Sequence, residues 1–476
     1  MLFPTIEFAC FFLFVLGVAW SFYSKPLAHR FFLLIASYVF YAFWDWRYCF
    51  LLFFLSVAAW LITKWMMAKE FGVSPEKYLI FGIGAFVCVL IYYKYTGFLY
   101  GAFQSAASWF FFDPVFPVLA NPVLPLGISF ITFHAVSLLF DAYRKKLAKT
   151  PSLVDVLLYV SFFPQLIAGP ILRASHFLPQ LERRRQAESI RLTRAGLLIT
   201  LGLFKKVILA NYLATQLVDD VFANAGNHSL TLLGVYGYAI QIFCDFSGYT
   251  DIAIGCAILL GYQFPLNFRN PYLAVSIQDF WHRWHITLST WLRDYLYIPM
   301  GGSRHGVYRT LFCLMTTMVL GGLWHGAGWQ FLIWGAYHGA LLAGYYLFAR
   351  WANAQNFLWR ASWQWKTISR LFVFHLVTLG WIFFRAANTN DAVHIIEKIG
   401  HEFWTGSLFV GADFLVIVTI LTGLGLQYVP MSLRAKIERL LMRQSAWRQG
   451  VLMSMCIACI EFFGPLGVAP FIYFQF

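Results

Sequence analysis

The chain has 476 residues, a formal net charge of +14, and a composition that is 60% hydrophobic, 20% aromatic and only 12% charged. Soluble domains carry about 25% charged residues, so the composition excludes a soluble globular protein and indicates a membrane protein. The basic residues are dispersed over short loops and are not gathered in one polar domain. This distribution excludes a nucleic-acid-binding protein and is typical of topology signals.

Apolar stretches recur along the chain, and most approach or exceed the roughly 18–20 residues needed to cross a bilayer. The first has no basic region before it and no A-x-A-like cleavage site after it, so we predict a retained helix and not a signal peptide. Examples of the apolar stretches lie at 5–23, 48–63, 79–93, 195–213, 371–384, 409–428 and 450–469. Together with the charged loops, they predict about eleven transmembrane helices.

The charges of the loops predict an orientation in the membrane. Lys25 and Arg30 place the first loop in the cytoplasm, and the basic segments 144–149 and 432–449 return the chain to that side. Segment 217–229 has acidic residues but no Lys or Arg, so we assign it to the outer side. The sequence therefore predicts a multi-pass protein of a bacterial inner membrane, with both termini outside.

Two segments differ from simple spans. Residues 152–172 carry Pro164, Gly169 and Pro170 between cytoplasmic flanks, which predicts a broken or re-entrant helix. Residues 263–309 are too polar to span and are rich in Trp, His and Arg, which predicts amphipathic helices at the cytoplasmic interface. A simple interfacial packing element remains the alternative for 263–309. The predicted fold is all-α, with re-entrant and interfacial helices beside the spans.

The interfacial segment contains "FWHRWHITLSTWLRDYL", in which His282 and His285 are spaced i, i+3. On a helix the two imidazoles would share one face, near Trp284 and Arg293. One interpretation is a metal-binding pair. No nearby Glu completes a metalloprotease-like set, so we favour a proton-handling histidine among aromatic walls and predict no metal site.

Asp245 and Asp251 lie in "QIFCDFSGYTDIAIG", a stretch otherwise apolar enough to span. Ionisable groups inside a membrane are costly and generally face a cavity or a partner. A structural role, such as pairing with Arg269 or capping a broken helix, and a catalytic role both remain open.

A histidine in "GGLWHGAGW", His325, has the strongest functional context in the chain. Trp324 and Trp329 are predicted to wall a narrow passage beside it. Glycines weaken a regular helix and allow close approach of backbone or ligand, which fits a tunnel constriction. The glycines are Gly321, Gly322, Gly326 and Gly328.

Taken together, these motifs resemble those of the membrane-bound O-acyltransferase family. The resemblance rests on "FWHRWHITLSTWLRDYLYIPMGG" and "GLWHGAGWQFLIWGAYHG", whose histidines His285 and His325 are 40 residues apart. "SFITFHAVSLLFDAYR", "FFPQLIAGPI", "CDFSGYTDIAIG" and the terminal "PFIYFQF" extend it over most of the chain. The alginate O-acetyltransferase branch is the most similar, with peptidoglycan O-acetyltransferases close by and D-alanyl transferases of teichoic acid more distant.

The resemblance implies one membrane-embedded domain over 1–476, with its signature core at about 121–345 and its helices bundled around a funnel or tunnel. It implies that His325 is the principal catalytic residue and His285 the second signature residue. At His282 the alginate branch is expected to have arginine. The residues expected to support the site or line the tunnel are Trp324, Trp284, His282, Asp245, Asp251 and Arg293.

The resemblance also implies the reaction. A cytoplasmic thioester, most simply acetyl-CoA, delivers acetyl toward a polysaccharide acceptor such as alginate, and no cofactor is bound tightly. The chain has no Gly-x-Ser-x-Gly elbow, so a periplasmic acetyltransferase or esterase-like partner is expected to complete the transfer. Two alternatives remain: a polysaccharide or small-molecule transporter, which inverted repeats would favour, and a scaffold for an envelope complex.

Overall fold

The computed structural model contains only helices as regular elements within the residues that it describes. This confirms the predicted all-α class for that part of the chain. The described residues are 3–110, 122–166, 169–182, 191–225, 229–356, 358–406, 409, 411–465 and 471–472.

The chain divides into two compact units, and the first is formed mainly by residues 6–190 and 259–264. Its helices are rich in Phe, Leu and Ile, and most of them bury a stripe of side chains. They are α1 Ile6–Ser21, α2 Pro26–Asp45, α3 Tyr48–Ala68, α4 Pro75–Leu90, α5 Thr96–Phe110, α6 Ile128–Tyr143, α7 Leu153–Ser161, α8 Phe163–Leu166 and α9 Ala174–Glu182.

The predicted break in segment 152–172 is present. Ser152 caps α7 by accepting a hydrogen bond from the Asp155 backbone N–H at 3.2 Å, and α7 ends at Ser161. Phe162 has non-helical torsions (φ −54, ψ 109), and α8 follows with Pro164 in its only turn. Residues 167–168 lie outside the described residues, and the re-entrant course of the segment stays a prediction.

The second unit is formed mainly by residues 191–258 and 265–476. Three π-helical stretches, Phe204–Asn211, Ala214–Val218 and Arg293–Tyr297, continue its α-helices. The α-helices are α10 Leu192–Leu203, α11 Asp219–Ala223, α12 Thr231–Leu259, α13 Ile277–Trp281, α14 Ile286–Leu292, α15 Gly306–His325, α16 Trp329–Ala354, α17 Trp363–Arg385, α18 Thr389–Thr405, α19 Phe414–Tyr428, α20 Met431–Met442 and α21 Ala446–Phe463.

Seven helices within the described residues are long and apolar enough to cross a membrane, or eight if the bent pair Phe414–Tyr428 and Ser432–Met442 forms one span. The chain is therefore a multi-pass membrane protein. The count of about eleven spans and the central funnel stay predictions. The seven helices are Pro26–Asp45, Tyr48–Ala68, Pro75–Ser108, Leu192–Ala223, Thr231–Leu259, Gly306–His325 and Trp363–Arg385.

A close helical hairpin, α15 and α16, forms the frame around "GGLWHGAGW". A Cβ on Gly322 would overlap the Phe331 carbonyl oxygen, and a Cβ on Gly335 would lie 2.5 Å from the Met318 carbonyl oxygen. Because neither glycine has a Cβ, the two backbones approach directly. The predicted role of glycine in close backbone approach is confirmed at Gly322. α15 continues through Gly321 and Gly322 and ends at His325, and Gly326 and Gly328 have extended torsions.

Candidate active site

His325 is the last residue of α15. Gly326 follows with extended torsions (φ −158, ψ 153), so the helix ends there and α16 begins three residues later, at Trp329. The His325 side chain is buried, with 5% of the residue exposed. The titratable imidazole of His325 therefore lies at the C-terminus of α15, where neighbouring elements enclose it.

Three aromatic rings surround His325. The imidazole centroid lies 4.7 Å from Trp324, 5.1 Å from Trp334 and 5.0 Å from Phe384, all in edge-on geometry. The prediction that Trp329 walls the passage is wrong. Trp329 is 56% exposed at the first position of α16, and Trp334 and Phe384 contact His325 instead.

Trp324 also contacts His285, at a centroid distance of 6.3 Å. The structure therefore brings the two predicted catalytic histidines to one indole ring. His285 is fully buried and packs edge-on against Phe246 of α12 at 4.6 Å. We call the two histidines together with Trp324, Trp334, Trp381, Phe384 and Trp284 the aromatic cluster.

Trp284 joins the aromatic cluster through Trp381 of α17. Their rings lie 4.9 Å apart, and Trp381 stacks on Trp334 at 5.9 Å with 20° between the ring planes. Trp334 in turn contacts His325, so rings in van der Waals contact connect Trp284 to the proposed catalytic histidine. Trp284 is almost completely buried.

His282 and His285 do not share a helical face, and that prediction is wrong. α13 ends at Trp281, and a turn separates it from α14. His285 adopts left-handed torsions (φ 41, ψ 54) at the N-terminus of α14, a conformation that costs a non-glycine residue about 1–3 kcal/mol. The turn points the two side chains apart, so that His282 is exposed while His285 is buried.

Asn267 holds the imidazole of His285. Its Oδ1 accepts hydrogen bonds from the Thr287 backbone N–H at 3.2 Å and from the Thr287 hydroxyl at 2.9 Å, which identifies this atom as the amide oxygen. His285 Nδ1 lies 3.1 Å from the same oxygen. Because an amide oxygen only accepts hydrogen bonds, Nδ1 carries the ring proton and donates it. In the neutral ring, Nε2 then carries the lone pair.

The electrostatic environment keeps His285 neutral. Burial lowers the pKa of His285 from the usual 6.5 to about 3, because desolvation disfavours the charged imidazolium. The Nε2 atom is buried without a hydrogen-bond partner among the described residues. A buried polar atom left without a partner costs about 1–3 kcal/mol, so this atom needs a physical explanation.

Asp245 and Asp251 are both ion-paired, and neither touches the aromatic cluster in the described contacts. Asp245 pairs with Lys206 at 2.8 Å and accepts the Ile472 backbone N–H at 2.9 Å. Asp251 pairs with Lys205 at 2.5 Å.

The predicted alternatives for these aspartates, pairing with Arg269 or capping a broken helix, are wrong. Arg269 is exposed, and α12 is unbroken over 29 residues. The partners are instead two consecutive lysines of the π-helical stretch Phe204–Asn211, where both side chains are buried. The ion pairs favour the structural role over the catalytic one for both carboxylates.

Arg293 lies outside the aromatic cluster. It begins the π-helical stretch after α14, its side chain is 54% exposed, and its Nε lies 2.7 Å from Asp294. His282 and Arg293 are thus both exposed, unlike the buried His285 and His325. Within the described residues, no group of three His, Cys, Asp or Glu side chains is arranged to hold a metal ion.

Sequence reasoning missed several residues of the site and its support. Lys205 and Lys206 were detectable as two positive charges inside one apolar stretch. A second apolar stretch carries two carboxylates, Asp245 and Asp251, that could pair with them. Asn267 had no comparable signal, because its role depends on a turn that brings Thr287 and His285 to it. The aromatic members that were missed are Trp334, Trp381 and Phe384.

Comparison with known proteins gives a consistent family. Residues 86–384, more than half of the chain, match the model of the membrane-bound O-acyltransferase family. The chain is 38% identical over 370 residues to the Pseudomonas putida protein named "Probable alginate O-acetylase AlgI", which covers 76% of this chain and 73% of that protein.

Two further relatives carry other names. The chain is 35% identical over 411 residues to a "Peptidoglycan O-acetyltransferase" of Helicobacter pylori, covering 79% of this chain and 74% of that protein. It is 32% identical over 321 residues to a "Teichoic acid D-alanyltransferase" of Bacillus subtilis, covering 61% of this chain and 78% of that protein. The three names share the transfer of an acyl group, to alginate, peptidoglycan or teichoic acid.

Proposed function

The chain belongs to the membrane-bound O-acyltransferase family, and we propose that it moves acetyl from cytoplasmic acetyl-CoA to an exported or cell-wall polysaccharide. Two of the relatives are named for O-acetyl transfer, at 38% and 35% identity, and the relative named for D-alanyl transfer is less similar, at 32%. This order favours acetyl as the acyl group. Alginate is the polymer that the name of the first relative suggests.

The proposed reaction breaks the thioester C–S bond and forms an ester C–O bond. His325 removes the proton of the attacking hydroxyl as its oxygen adds to the acetyl carbonyl carbon, and the proton then passes to the leaving thiolate, giving the acetyl ester and free CoA. An imidazole suits this work, because its ordinary pKa lies near neutrality. His285 acts on the donor side of the same cluster.

One observation carries the proposal: Trp324 contacts both His325 and His285. Two imidazoles enclosed by indole and phenyl rings form a site from which water is largely excluded. Exclusion of water protects a thioester from hydrolysis and strengthens polar interactions during transfer. An exposed histidine, such as His282, has neither advantage.

The acceptor is reached from the outer side, and a periplasmic acetyltransferase or esterase-like partner is proposed to complete the transfer to the polymer. The enzyme resides, in this proposal, in the bacterial inner membrane with segment 263–309 on the cytoplasmic side. Inverted membrane vesicles, which expose the cytoplasmic face, should release CoA from added acetyl-CoA. Intact spheroplasts should not, because CoA thioesters do not cross a membrane. CoA release by spheroplasts alone would place the donor site on the outer face.

The test is His325→Gln in cells that produce the polymer. Gln keeps hydrogen bonding and much of the volume of the imidazole but cannot carry a proton at neutral pH, so polymer acetylation should fall by about 10²–10⁴-fold. His401→Gln is the matched control, because His401 is exposed on α18. Both variants are compared with wild type at equal membrane levels. Near wild-type acetylation by His325→Gln would make His325 a structural histidine and remove the general base from the proposal.

A further inference from the structure

Asn267 forms a rigid support for His285. The two residues are buried to 1% and 0% exposure. Besides its side-chain contacts, the Asn267 carbonyl oxygen accepts the Ile286 backbone N–H at 2.9 Å. Backbone and side chain of Asn267 therefore contact the two residues that directly follow His285. This arrangement fixes both the position of the imidazole and the nitrogen that carries its proton.

The tautomer decides what His285 can do. With the proton on Nδ1 and used in the bond to Asn267, Nε2 of the neutral ring accepts a hydrogen bond and has none to donate. It therefore does not hold the carbonyl oxygen of the thioester or the oxyanion that develops from it, since these groups need donors. Its partner must present an N–H or O–H group.

We propose that Asn267 is a positioning residue that keeps the lone pair of His285 Nε2 directed at an amide N–H of the pantetheine arm of the thioester donor. This inference rests on the proposed function, because it assigns His285 to the donor. The acceptor hydroxyl has a single proton, which His325 takes, so we assign His285 to the donor, whose pantetheine arm carries amide N–H groups. Protonation of Nε2 would abolish this contact.

Within the part of the chain that the structure describes, few charged groups face His285. The rings packed on it are Phe246 of α12 and Trp324 of α15. The titratable residues beside these rings are Asp245, which is ion-paired with Lys206, and His325. On its own segment, the contact is to the neutral Asn267. A carboxylate introduced at position 267 would thus be the main charge acting on the imidazole.

Asn267→Asp is the critical variant. Aspartate preserves the shape and still accepts from Thr287 and from His285 Nδ1, but its charge favours the imidazolium and raises the pKa of His285. In inverted vesicles at about pH 9 the KM for acetyl-CoA should stay within about threefold of wild type. At about pH 6 it should rise about tenfold, the loss expected for one hydrogen bond in a buried site. The wild-type KM should be the same at both pH values.

Asn353→Asp is the matched control, because Asn353 is exposed and its Oδ1 accepts from Arg360 at 2.6 Å. It should show no dependence of KM on pH. If the KM of Asn267→Asp is equally insensitive to pH, the protonation state of Nε2 plays no part in donor binding and the inference fails. If the KM rises equally at about pH 6 and about pH 9, Asn267 supports only the fold, which also overturns it.

A second measurement does not depend on acetyl transfer. Because the pKa of buried His285 is lowered to about 3, the unfolded chain takes up a proton below about pH 6.5 that the folded chain does not. Wild type and Asn353→Asp therefore lose stability as pH falls through this window. Asn267→Asp raises the pKa of His285 in the folded state and should remove part of this loss of stability. Between about pH 7.5 and pH 5, the Tm of Asn267→Asp in detergent should therefore fall by about 2 °C less than the Tm of wild type.

If the Tm of Asn267→Asp and of Asn353→Asp falls equally, Asn267 does not control the protonation of His285. This conclusion does not depend on which reaction the protein catalyses. Conversely, vesicles in which CoA release does not depend on His325 would defeat the proposed function, and the Tm comparison would still decide the role of Asn267. The two failures are thus distinguishable.

Discussion

The two buried histidines are held by different physical means. The hairpin of α15 and α16 holds His325 at the end of a regular helix, through direct backbone contact at Gly322 and Gly335 and through aromatic packing. The segment 265–297 holds His285 in a left-handed turn, through hydrogen bonds that meet at Asn267. Both arrangements bring an imidazole to Trp324.

This difference separates what each region tolerates. Apolar packing between helices is sensitive to volume, because interiors are close-packed and a single added methyl group shifts the backbone. A hydrogen-bonded turn is sensitive to the exchange of donors and acceptors, because a buried polar group without a partner is costly. Substitutions that change volume should therefore act mainly through His325, and substitutions that change polarity should act mainly through His285.

The largest effect should come from Lys206→Met, which changes the polarity of a buried ion pair. Asp245, its partner, precedes Phe246, which packs against His285, and the pair is 2% and 3% exposed. Removing one partner of a buried ion pair costs about 3–5 kcal/mol, so the thermal stability in detergent should fall markedly.

The double variant Lys206→Met/Asp245→Leu serves as the control and should regain most of the stability, because it leaves no unpaired charge. A single variant as stable as wild type would show that the pair contributes nothing to the support of α12.

Gly322→Ala should disturb the hairpin of α15 and α16, which is the region sensitive to side-chain volume. The new Cβ would overlap the Phe331 carbonyl oxygen, so α16 must move and Trp334 with it. A displacement of about 1 Å in a catalytic group costs about 10²-fold in rate, measured as CoA release in inverted vesicles. Gly344→Ala is the control on α16, since its Cβ would have no atom within 4 Å. Equal activity of the two variants would contradict the proposed role of the hairpin in placing His325.

Trp284→Ala should have a smaller effect. It tests whether this end of the aromatic cluster binds the acyl donor or the acceptor. Trp284 precedes His285 and reaches His325 through Trp381, which contacts both Trp334 and Phe384. We expect the KM for acetyl-CoA to rise about tenfold with a lesser change in kcat. An unchanged KM for acetyl-CoA, with impaired use of the acceptor, would assign this end of the cluster to the acceptor.

The sequence predicted the histidine of the hairpin better than the histidine of the turn. The helical pattern, the glycines and the flanking tryptophan of "GGLWHGAGW" already describe a packed helix end, and only Trp329 was misplaced. In contrast, the i, i+3 spacing of His282 and His285 suggested a helix, because spacing alone does not reveal a turn stabilised by Asn267 and Thr287, about 20 residues apart. Long-range polar contacts of this kind become visible only once the chain is folded, whereas Lys205 and Lys206 were detectable as charges inside an apolar stretch.

The central claim is that the two imidazoles divide one reaction, with His325 as the general base and His285 as a contact to the donor. It is tested most directly by the kcat/KM for CoA release in inverted vesicles from His285→Gln, His325→Gln and the double variant, at equal membrane levels. Because the two tasks are distinct, the loss of the double variant should equal the product of the two single losses within about threefold. A double variant no slower than His325→Gln would contradict the claim, because it would show that the histidines act as a single unit.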